Sequence, residues 1–83
     1  MIQFAYTIGG TQGLHARPVV EIARIAGAYE SAVTISCGDR STPGDDMMGL
    51  MALSANRGDE LTIMVDGPDE RAAAEALKGV LTF

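Results

Sequence analysis

The feature that most constrains this chain is the repeated switch of its apolar period between two and about three and a half residues. Ile2, Phe4, Tyr6 and Ile8 fall on one parity and Gln3, Ala5 and Thr7 on the other, the alternation of a half-buried strand over residues 2–8. From Ala16 the spacing becomes helical: Val19, Ile22, Ala23 and Ala26 lie at i, i+3, i+4 and i+7, with Glu21 and Arg24 off that stripe, predicting a helix to about Gly27. Alternation returns with Val33, Ile35 and Cys37, and Gly38-Asp39 is a two-residue hairpin signal that pairs this strand with a short one over Arg40–Thr42. Pro43 marks that partner as an edge strand, since it has no N–H to give a ladder.

Gly44-Asp45-Asp46 supplies an N-cap for a second helix from Met47 to about Leu53, with Leu50 and Leu53 on its core side. Leu61, Ile63 and Val65 set a fourth strand over Glu60–Asp66. Gly67-Pro68-Asp69-Glu70 then turns the chain into a third helix with proline and acids in its first turn and a stripe of Ala73, Ala76, Leu77, Val80 and Leu81. The order β-α-β-β-α-β-α implies an α+β fold: an open-faced sandwich with a four-stranded antiparallel sheet covered on one face by three helices. At 83 residues the chain is expected to form a single domain, residues 1–83.

Charge and composition remove several functions. The net charge is −5, and the six basic residues at 17, 24, 40, 57, 71 and 78 form no phosphate-tracking stripe, so a nucleic-acid partner is not expected. One histidine and one cysteine cannot by themselves build a zinc site, and Cys37 has no internal disulfide partner. No metal or other cofactor is therefore expected. No window approaches the roughly 20 apolar residues of a membrane span, and the start of the chain lacks the basic flank of a signal peptide. This reading places the protein in the cytoplasm, without membrane insertion, as a monomer.

The lone His15 becomes conspicuous against that background. It lies in Gly13-Leu14-His15-Ala16-Arg17-Pro18, directly before a helix. First-turn backbone N–H groups have no intrahelical partner, and a helix N-terminus carries about half a positive charge. That field favours neutral, nucleophilic imidazole over imidazolium and then welcomes an incoming phosphoryl charge. Arg17 adds planar guanidinium donors suited to phosphate oxygens, and Pro18 loses nothing in a first turn. On the second helix Met47, Met48 and Met51 cluster away from the leucines, as polarisable side chains that suit docking of more than one partner.

The six-residue motif resembles the active-site signature of the HPr phosphocarrier family of the bacterial phosphoenolpyruvate-dependent sugar phosphotransferase system. Met48-Gly49-Leu50-Met51 and the Gly58-Asp59-Glu60 approach to the fourth strand extend the resemblance over nearly the whole chain. It implies a phosphocarrier and not an enzyme: His15 accepts a phosphoryl group on Nδ1 from Enzyme I, with phosphoenolpyruvate as ultimate donor, and passes it to a IIA protein or domain. Arg17 and the first-turn amides of Ala16 and Arg17 are implied to hold the phosphate. Docking is implied on the first two helices, through Val20, Arg24, Met47, Met48 and Met51.

Three positions depart from the family pattern. Asp46 stands where Gram-positive relatives carry a regulatory serine; it is either a plain N-cap or a fixed charge that weakens phosphoryl acceptance. Gly27, Asp45 and Gly49 leave the docking face nearly bare of positive charge, and Gln12 replaces a smaller polar residue. The alternatives are a regulatory HPr-like binding module, or a specialised carrier for a dihydroxyacetone kinase-type system, with Asp46 as the fixed charge. A small hydrolase is disfavoured because no residue pattern offers a second acid or base beside His15.

Overall fold

The computed structural model describes all residues, 1–83. Its elements run β1 (Ile2–Thr7), α1 (Ala16–Ala28), β2 (Ala32–Cys37), β3 (Arg40–Pro43), α2 (Met47–Ala52), β4 (Glu60–Asp66) and α3 (Glu70–Val80). The strands form one antiparallel sheet in the order β1-β4-β2-β3. β4 lies between β1 and β2, so the β1-α1-β2 passage is a split crossover. Alternation puts Val33, Ile35, Leu61, Ile63 and Val65 on one face of the sheet, where they are buried with Ile22 and Ala26 of α1, Leu50 of α2 and Ala73 and Leu77 of α3. Thr34, Ser36, Thr62 and Met64 lie on the uncovered side and stay half exposed.

The α+β open-faced sandwich expected from the periodicity is the fold observed. Its differences from the sequence reading lie at element ends. Ile8 continues the parity of β1 and is buried, but its N–H donates to the Asp59 carbonyl (3.0 Å) in the loop before β4, beyond the ladder. Pro43 ends β3 opposite Thr34, an edge position that needs no donor. Leu53 is the C-cap of α2 and not its last helical residue.

Pro68 lies in the turn before α3 instead of in its first turn, and Asp69 is the N-cap. The buried face of α3 is Ala73, Ala74 and Leu77, whereas Ala76 and Val80 are half-buried; α3 leans further toward Ala74 than the stripe predicts. The hairpin turn follows the sequence: Cys37 pairs with Arg40, and Gly38 at φ +63 supplies the left-handed first turn position.

Candidate functional site

His15 is the N-cap of α1, with extended backbone (φ −103, ψ −173) and half-buried. Its carbonyl accepts the first helical bond from the Val19 N–H at 3.1 Å, and its side chain makes no capping hydrogen bond. The N–H groups of Ala16 and Arg17 therefore have no partner within the protein, and Pro18 has no N–H to leave unpaired. No acidic side chain occupies the first turn. Two amide donors and the positive end of a 13-residue helix are left open beside the imidazole.

The position of His15 is fixed from below. Leu14 is buried and its N–H donates to the Ala55 carbonyl at 3.0 Å, tying the loop before α1 to the loop after α2. Gly13 makes that junction, with φ +64 and its α-carbon so close to Ala55 and Asn56 that a Cβ would lie 2.6 Å from the Ala55 carbonyl oxygen. The requirement for this glycine comes from a segment 42 residues further on, from Gly13 to Ala55, and no local signal in the sequence reveals it.

An open cleft of about 450 Å³ lies over the site, with His15, Arg17, Pro18 and Glu21 on one wall and Val80, Thr82 and Phe83 on the other. Arg17 is exposed and forms no ion pair. Glu21 lies four residues after Arg17, hence on the same helix face, but its carboxylate instead takes the Arg24 guanidinium at 3.0 Å. Glu21 shares the cleft with His15, but its carboxylate is paired with Arg24 and makes no hydrogen bond to the imidazole.

Away from the cleft, α1 and α2 leave one valine and three methionines exposed. Val20 is 51% exposed, Met47 51%, Met48 84% and Met51 49%, while Leu50 is fully buried. The split between leucines inside and methionines outside follows the spacing read from the sequence. Arg24 is exposed but already paired with Glu21. Asp46 caps α2, its Oδ1 accepting the Gly49 N–H at 3.0 Å. No group of three or more histidine, cysteine or carboxylate side chains is arranged to hold a metal ion, and no helix is long and apolar enough to cross a membrane.

The comparisons with known proteins decide the family. Residues 2–82 match the family model described as the PTS HPr component phosphorylation site. The chain belongs to the HPr family. A phosphocarrier protein HPr from Cupriavidus necator is 37% identical over 81 residues, covering 98% of this chain and 91% of the relative. A solved histidine-containing phosphocarrier protein from a mycoplasma superposes with a TM-score of 0.93 at 32% identity, covering 96% of this chain and 91% of that one. A multiphosphoryl transfer protein of Xanthomonas campestris is 30% identical over 79 residues, which are 95% of this chain but 9% of that protein. HPr proteins are phosphocarriers of the phosphotransferase system and not catalytic enzymes, and the resemblance seen in Gly13–Pro18 is that of a member.

Proposed function

We propose that this HPr protein carries a phosphoryl group on Nδ1 of His15, taking it from phosphorylated Enzyme I, with phosphoenolpyruvate as ultimate donor, and delivering it to a IIA protein or domain in the cytoplasm. The observation that carries the reading is the set of donors left without internal partners beside one imidazole: the Ala16 and Arg17 amides and the Arg17 guanidinium. In the forward step the ring nitrogen lone pair attacks phosphorus, the N–P bond forms, and the bond to the donor's group breaks with its electron pair leaving on the donor. Charge on the three equatorial phosphoryl oxygens is what the two amides and Arg17 stabilise.

The site is open to water, so each helix-end interaction is worth about 0.3–1 kcal/mol and not several. That modest hold suits a carrier, which must release the group to the next acceptor. Val20, Met47, Met48 and Met51, with Arg24 at their border, form the docking face for donor and acceptor in turn; unbranched, polarisable methionines repack against different surfaces. Incubation with Enzyme I and phosphoenolpyruvate tests the reading. An acid-labile phosphate on the wild-type chain that is lost in His15→Ala supports it; no label, or a label that survives the substitution, overturns it.

A further inference from the structure

Glu21 is the one carboxylate side chain on the His15 wall of the cleft, and the carrier reading gives it no role. Its placement works against phosphate: a negative charge on the helix face that also carries Arg17 repels a dianionic phosphoryl group and competes for the same guanidinium. The structure resolves that competition in one direction. Glu21 Oε2 accepts from Arg24 Nη2 at 3.0 Å, and Arg17 is left without an ion pair. Helix geometry favours this choice, because an acid N-terminal to its basic partner aligns with the helix dipole, as Glu21 does to Arg24, whereas Arg17 precedes Glu21 in the weaker orientation.

Resting on the carrier reading, we infer that Glu21 tunes how tightly the cleft keeps the phosphoryl group, and that Arg24 is the tether that holds its carboxylate off Arg17. Glu21 is a positioning residue acting through charge; it forms no bond to phosphorus. With the tether in place, Arg17 is available to phosphate and the residual field of Glu21 keeps the phosphorylated form easy to discharge. Without the tether, the carboxylate turns to Arg17 and the phosphorylated form loses its best side-chain donor.

The readout is the equilibrium constant for phosphoryl exchange between Enzyme I and this chain, measured as the phosphorylated fraction of each at fixed totals. An equilibrium constant between free species is blind to docking, so a contact of Arg24 with the partner, which changes rates, does not enter it. Glu21→Gln is expected to shift the equilibrium toward the phosphorylated carrier by about threefold to tenfold, the scale of one partly screened charge. Arg24→Gln is expected to shift it away by a similar factor, and the double substitution to behave as Glu21→Gln alone.

The shifts should shrink between about 0.01 M and 1 M salt, where the Debye length falls from roughly 30 Å to 3 Å, while the thermal midpoints of the variants stay together. An unchanged equilibrium in Glu21→Gln overturns the inference, as does an Arg24→Gln effect that persists without Glu21. A wild-type chain that takes no phosphate from Enzyme I would overturn the carrier reading itself and this inference with it; a labelled wild type without these shifts overturns the inference alone.

Discussion

A Cβ at Gly13 meets the Ala55 carbonyl oxygen at 2.6 Å and the Asn56 α-carbon at 2.9 Å, at a φ of +64 that L side chains rarely adopt. Gly13→Ala must therefore separate the two loops or strain the backbone, and with them the Leu14 amide bond that sets the height of His15. A loss of about 2–4 kcal/mol is expected, from left-handed backbone and overpacking together, read as a lower denaturant midpoint. Ser54, on the other side of the same junction, holds φ +53 without being glycine. Ser54→Gly removes the steric cost of about 1–2 kcal/mol but adds unfolded-chain freedom, so a net gain of about 0.5 kcal/mol is expected in urea unfolding. These two residues show what the sequence leaves out: the residues proposed to carry the phosphoryl group lie in one contiguous motif, Gly13–Pro18, but the support under it is a contact between loops, and only the folded chain brings Ala55 to Gly13.

Elements were legible wherever one face is buried, because burial enforces the period: β2, β4 and α1 lie within a residue or two of their expected bounds. Ends are set by caps, and those depend on partners elsewhere in the chain. Asp46 was readable as a cap because its partner, the Gly49 N–H, is three residues on. Asp46→Ala is expected to cost about 1 kcal/mol and Asp46→Ser much less, a comparison for thermal melting.

Asp69 was not readable in the same way. It sits at the N-cap of α3 but spends its carboxylate on the turn between α1 and β2, accepting from the Ser31 hydroxyl at 2.5 Å and from the Glu30 and Ser31 amides at 2.9 Å each. The Ser31 hydroxyl, followed by the Glu30 amide, holds its carboxyl below the ordinary value of 3.8. A carboxylate with a lowered folded-state value contributes stability above its unfolded value and loses it as pH falls through the folded one. Asp69→Asn should therefore be less stable than wild type at neutral pH, and the gap should close below about pH 3.8; a gap that is constant with pH would contradict the assignment.

At the scale of the molecule, the charge of −5 and the face around His15 together decide how partners find it. Arg17 is unpaired, Arg24 is neutralised by Glu21, and Asp45 and Asp46 stand exposed at the start of α2. Gly49 cannot carry a basic side chain in this packing, because a Cβ there would fall on the Thr42 hydroxyl oxygen and within 2.9 Å of Asp46 Oδ2. At position 49 the lack of positive charge is thus built into how α2 seats on β3, whereas Gly27 has open space around it; the large apolar side chains exposed for association on α1 and α2 are Val20 and three methionines. Association driven by apolar burial gains no attraction from a basic patch, whereas steered encounter gains on-rates up to about 10⁸–10⁹ M⁻¹s⁻¹ that collapse with ionic strength. The rate of phosphoryl acceptance from Enzyme I by the wild-type chain should accordingly change by less than about threefold between roughly 0.01 M and 0.5 M salt in rapid-quench measurements. Truncating Met48, the most exposed of the three methionines, should slow it at every ionic strength. Thr42→Ala removes the worst obstruction at position 49, so Gly49→Lys in that background should restore a salt-dependent rate toward an acidic partner, while Gly49→Lys alone should chiefly destabilise α2. A steep fall of the wild-type rate with salt would mean that Arg17 by itself suffices to steer, and that the apolar face is not what the partner meets first.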